Sequence, residues 1–170
     1  MDGLIMRRIV PLVLLLNSVA AAEPLVSTSD AQNLRGFAFC ISDYSLRVGD
    51  TLQDDVDRSF AKEQYIILKR KLTAYRVPFA ENCGLQDPRP SIFANFSSSN
   101  SVGTNNARSY SISFIVFLKS PNISASTAIY LLQNSGVTTN YSLREIQEVQ
   151  SRNFSDMLDE FAASYAKANP

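Results

Sequence analysis

The chain has 170 residues, 45% of them hydrophobic and 19% charged, with 16 basic against 16 acidic side chains. That apolar share supports a folded core rather than disorder, and the even balance argues against a nucleic-acid binder, which would carry a basic excess. Histidine is absent and cysteine occurs twice. Ser-His-Asp and Cys-His catalysis, histidine-ligated zinc and cysteine-rich metal clusters are therefore excluded.

Residues 6–24, "MRRIVPLVLLLNSVAAAEP", place Arg7 and Arg8 ahead of an apolar stretch from Ile9 to Val19, then three alanines. A positive start, a short apolar run and small residues before a cut site predict a secretory signal peptide over 1–22. A membrane-spanning helix needs about 20 apolar residues, and this stretch is shorter and broken by Pro11 and Asn17. Export to a periplasmic or extracellular space is expected, with no transmembrane segment after cleavage. Removing residues 1–22 takes away Arg7, Arg8 and Asp2 and leaves one more acid than base.

Residues 23–34 read as a polar leader and 35–170 as one domain. In "GFAFCIS", Phe37, Phe39 and Ile41 alternate with Ala38 and Cys40, which predicts a buried strand. Thr51 and Asp54 match a capping box. Leu52, Val56, Phe60, Ile67, Leu68, Leu72 and Tyr75 then recur at helical spacing, predicting a helix over about 52–75 that Val77-Pro78 ends. "FAENCGLQDPRP" reads as a loop. Strands are expected in "SIFANFSSS", "SYSISFIVFLKS" and "STAIYLLQNS", the second with Tyr110, Ile112, Phe114, Val116 and Leu118 on one face. Ser142 and Glu145 form another capping box. Behind it runs the stripe Leu143, Ile146, Val149, Phe154, Met157, Leu158, Phe161, Tyr165, predicting a helix to about Lys167. The β-α-β-β-β-α order predicts an α+β fold: one four-stranded mixed sheet with both amphipathic helices packed on one face.

The helix-free face is the place to look for function. Ser111 and Ser113 are the polar residues expected on an uncovered antiparallel face, but Ile115 and Phe117 are not, and either Ile129 or Tyr130 of the next strand is expected beside them, Ile129 being the third candidate contact residue. Either the leader or a loop covers these residues, or they form an apolar patch for a partner or a second copy of the chain.

Elsewhere ordinary structure accounts for the charges. Asp54, Asp55 and Asp57 suit the positive end of a helix better than a hard metal ion, and Lys69, Arg70 and Lys71 suit its negative end better than an anion site. Asp156, Asp159 and Glu160 read as solvated helix charges rather than a catalytic pair. Asn95, Asn122, Asn140 and Asn153 each open an N-x-[ST] sequon. Cys40 and Cys83 are expected to form a disulfide, as thiols of exported chains do. In the chain-entropy account, closing that loop is worth roughly 4 kcal/mol.

With its signal peptide, strand and helix order and final helix phrase "DEFAASYAKANP" (Asp159 to Pro170), the chain resembles a type of small exported bacterial protein whose activity is uncharacterised. The resemblance implies a compartment and an architecture and brings no catalytic residue with it. The core is also similar to the α/β accessory domains of cell-envelope machines. The leading expectation is a non-enzymatic envelope or secreted protein that binds a macromolecule through a sheet face or edge. No metal, cofactor or catalytic residue is assigned. A small-ligand or lipid carrier, with its pocket between sheet and helices, is the alternative. An enzyme built on carboxylates, tyrosines or a Ser–Lys pair comes third.

Overall fold

Three long strands carry the architecture: β5 (Ser91–Ser98), β6 (Ala107–Lys119) and β7 (Ser126–Thr139). Each alternates strictly in its central part. Ile92, Ala94 and Phe96 on β5, Ile112, Phe114 and Val116 on β6, and Tyr130 and Leu132 on β7 are buried, with half-buried or exposed residues between most of them. A two-residue period puts every second side chain on the same face, so these strands build one buried layer. They pair antiparallel, Ala94 opposite Phe114 and Phe114 opposite Leu132.

The computed structural model describes residues 26–27, 30–42, 45–49, 55–83, 87–99, 107–119 and 126–170. Four short strands complete the sheet: β1 (Val26–Ser27), β2 (Phe39–Ile41), β3 (Leu46–Val48) and β4 (Phe79–Glu81). The order is β1-β7-β6-β5-β2-β4, with β3 also on β5; β2 and β3 take successive stretches of the same β5 edge. Pairings among β2, β3, β4 and β5 are parallel and the others antiparallel, so the sheet is mixed.

The expectation of four strands is corrected to seven among the described residues. The three additions, β1, β3 and β4, have two or three residues each. So short a strand places at most two side chains on a face, too few for a period to show. β4 forms where a loop was expected. Two backbone bonds flank it: Phe39 N–H donates to Pro78 O (2.9 Å) and Asn82 N–H to Ile41 O (2.9 Å).

Both helices cover the same face of the sheet. α1 (Asp55–Ala74) lays Phe60 edge-to-face on Phe96, centroids 5.4 Å apart. α2 (Leu143–Ala168) sets Phe154 against Phe96 at 5.0 Å, and Phe161 against Phe39, Phe114 and Tyr130 at 5.0–5.5 Å. Offset and edge-on ring pairs of this kind add about 0.5–1.5 kcal/mol each beyond the area they bury. The predicted capping box of α2 is present: Ser142 N–H donates to Glu145 Oε2 (2.7 Å), and Glu145 N–H to Ser142 Oγ (3.3 Å). The one expected at Thr51 and Asp54 lies outside the described residues, as does the predicted signal peptide.

At its far end α1 closes with Val77 N–H on Leu72 O and Arg76 N–H on Thr73 O, Arg76 sitting at φ 56°. That left-handed turn buries Val77 and delivers the chain to β4. The stretch expected as a polar leader contains β1, which pairs antiparallel with β7, and a 3-10 turn, Ala31–Leu34. Leu34 is fully buried in the core on the helix side of the sheet.

Candidate interaction face

The layer between sheet and helices is filled. Among the described residues, Phe39, Phe96, Phe114, Phe154, Phe161 and Tyr130 interlock there with 0–1% exposure. Several polar groups in this layer join α2 to the sheet. Gln150 Nε2 donates to Ser97 O (2.9 Å), and Asn153 Nδ2 to Asn134 Oδ1 (2.9 Å) and Tyr110 Oη (3.2 Å). Tyr130 Oη donates to Ser164 Oγ (3.0 Å).

The opposite face is graded along the strands. Register puts Phe93, Ile115 and Leu131 in one row across β5, β6 and β7, with Phe117 in the row beside it. Phe93 and Phe117 rings lie 6.4 Å apart, and the Arg47 guanidinium of β3 sits 5.3 Å over the Phe93 ring. The next rows are polar: Asn95, Ser113 and Gln133, with Arg47 of β3 in register beside Asn95, then Ser97, Ser111 and Ser135. Ser97 Oγ and Ser111 Oγ share a hydrogen bond of 2.7 Å. One end of the face is thus apolar and aromatic; the other is mostly hydroxyls and amides, with the exposed Val137 opposite Ser109 in the row beyond.

Among the described residues neither helix nor the 3-10 turn lies over this face; all three pack on the other side. Ile115 and Phe117 are half-buried. Ile129 sits elsewhere. Pairing passes from Val116–Tyr130 to Phe117–Ala128, which makes Ile129 the extra residue of a β-bulge. There it packs against the core cluster, and its carbonyl accepts from Asn33 Nδ2 (3.2 Å). Leu131 takes the place beside Ile115 instead, and Phe93 and Arg47 join the face from strands that sequence reasoning did not align with it. The alternation of Phe93 with Ile92 and Ala94 was the available signal for Phe93.

Cys40 and Cys83 are joined in a disulfide, Cα atoms 6.0 Å apart. Cys40 is buried on β2, opposite Ala80 of β4 and Ser91 of β5, and Cys83 lies two residues past the end of β4. The bridge therefore fastens the outermost strand to the sheet.

The charged runs resolve into separate roles. Lys69 pairs with Glu81 (2.8 Å) and Lys71 with Asp159 (2.5 Å), while Tyr75 Oη also donates to Asp159 (2.6 Å). Partial burial opposes ionisation of Asp159, but hydrogen bonds from Lys71 and Tyr75 and the lysine's charge outweigh it and hold the carboxyl below its ordinary range. The hydrogen bond to Asp159, with burial, raises the Tyr75 phenol above its usual value. Asp55 and Asp57 stand in the first turn of α1, and Asp54 lies outside the described residues.

The sequence matches no protein-family model and no curated protein sequence. Among solved structures, a dodecamer of a point variant of PelC from Paraburkholderia phytofirmans aligns at 13% identity and a TM-score of 0.44. That alignment covers 82% of this chain and 96% of that one. The rare lipoprotein B of Shewanella oneidensis aligns at 13% identity and a TM-score of 0.34, over 75% and 94%. Both likenesses are too slight to speak to function.

Proposed function

We propose that this is an exported, non-catalytic protein that binds a protein component of the cell envelope through the open face of its sheet. The observation carrying the reading is the row Phe93, Ile115 and Leu131 with Phe117 beside it, on a face that no described element covers. An antiparallel sheet covered on one side ordinarily presents polar residues on the other. The Asn95–Gln133 and Ser97–Ser135 rows obey that rule and the apolar end departs from it, as contact residues do. The disulfide supports export, since such bonds persist in oxidising compartments and are rare in the cytosol. The balanced charge speaks against nucleic acid as the partner.

The test uses the oxidised full-length protein as bait in envelope extract, beside Phe117→Asp, Ile115→Asp and a helix-face control, Arg144→Glu. The reading predicts a partner that survives Arg144→Glu and is lost with either aspartate, while circular dichroism and thermal melts show all baits folded. A partner retained by both aspartate variants contradicts it.

A further inference from the structure

The opposite side of the molecule carries a second site, independent of the open face. α1 and α2 leave a groove of about 580 Å³ between their outer surfaces. Ile67 and Ala74 of α1 give it an apolar lining, Ser151 and Ser155 of α2 give it hydroxyls, and the half-exposed Tyr75 ring stands at one end. Arg70 enters from the α1 wall and Arg152 from the α2 wall.

The charges are what single this groove out. In the run Lys69-Arg70-Lys71 both lysines are committed, to Glu81 and Asp159. Arg70 makes no ion pair among the described residues, and neither does Arg152. Of the acids one turn to either side of Arg152, Glu148 pairs with Arg144, and Asp156 forms no ion pair with it among the described residues. No carboxylate lines the groove. The Asp159 carboxylate at the groove is taken up by Lys71 and Tyr75 of its lining, which leaves the two guanidiniums without an ion-pair partner, and guanidinium is the cation best shaped for bidentate pairing with a carboxylate.

We infer that this groove receives an acidic polypeptide segment of a partner, its carboxylates on Arg70 and Arg152 and an apolar side chain on Ile67 and Ala74. A lone phosphate would leave the apolar lining without a contact. Laying a chain segment into a groove between two helices uses both features together.

The test titrates the isotope-labelled, oxidised full-length protein with a short synthetic peptide of glutamate and leucine at low salt. Its lysine-for-glutamate counterpart, inorganic phosphate and anionic phosphatidylglycerol vesicles serve as parallel arms. The proposal predicts NMR shift changes at Arg70, Tyr75, Ser151 and Arg152 with the acidic peptide alone, weakening as salt is raised. Arg70→Glu and Arg152→Glu should each reduce the affinity about tenfold or more, as loss of a charge-assisted pair implies. Arg70→Gln and Arg152→Gln, which keep exposed polar side chains, serve where charge reversal disturbs folding. Shifts confined to other surfaces, equal binding of the lysine peptide, or a response to phosphate or vesicles in place of the peptide would overturn it. So would unchanged affinity in folded variants. Because Phe117→Asp leaves this groove intact, it should bind the acidic peptide like the parent protein. Failure of the open-face reading is thereby separable from failure of this one.

Discussion

Gly136 is a position where adding one methyl group should be costly. It lies on β7 directly opposite Tyr110 of β6, and the tyrosine ring folds down over it. A Cβ built there would stand 2.6 Å from Tyr110 Oη and 2.8 Å from both Cε1 and Cζ. The glycine backbone is not in the left-handed region, so φ alone would accept alanine. The obstacle is the ring. Tyr110 is 6% exposed and accepts a hydrogen bond from Asn153, so it moves only by straining the core and giving up that bond. Overpacking of this kind costs about 1–3 kcal/mol, and a net hydrogen bond about 1 kcal/mol. Gly136→Ala should therefore destabilise by about 2–4 kcal/mol, read as a lower urea midpoint at unchanged slope. In a Tyr110→Leu background, where the ring is gone, the same substitution should cost less than about 1 kcal/mol, since contacting residues couple. A Gly136→Ala variant within about 0.5 kcal/mol of the parent would refute the reasoning, as would equal costs in the two backgrounds.

Reducing the Cys40–Cys83 bond, which closes a separation of 43 residues, should lower stability by about 2–4 kcal/mol; identical urea curves with and without reductant would contradict this. Asp159 holds its proton less tightly folded than unfolded. The unfolded state therefore binds more protons as the medium acidifies, and stability should fall as pH drops below about 4. Asp159→Asn should flatten that fall in acid-titrated thermal melts; an unchanged slope would tell against the Lys71–Tyr75 pairing. Passed through a glycosylating secretory pathway, the protein should accept sugar at exposed Asn140 and not at Asn153, whose amide already serves Tyr110 and Asn134. A glycopeptide carrying Asn153 would show that α2 does not sit as described.

What could be read from residues alone depended on how many of them repeat a signal. α2 was legible to within a residue because eight apolar positions and a capping box agree, and β6 because its alternation runs unbroken from Tyr110 to Val116. β3 and β4 were not, for three residues cannot display a period and their pairing is decided by contacts far along the chain. The bulge on β7 was hidden for another reason. Ala128-Ile129-Tyr130-Leu131-Leu132 is apolar throughout, so nothing in it marks which residue slips out of register and turns Ile129 to the core. Arg70 was masked in a different way again: a run of three cations at a helix end has a sufficient electrostatic explanation. Only the partners of Lys69 and Lys71 separate the arginine from its neighbours.

The claim that the open face is the binding surface can be put to one photocrosslinking measurement in envelope extract. p-Benzoylphenylalanine replaces Ser113, which lies between the apolar and polar rows of that face, or Arg144 on the helix side. The account predicts an adduct of one defined mass from position 113 that is absent when Phe117→Asp is added and is not formed from position 144. The same adduct from 144 but not from 113 would contradict it.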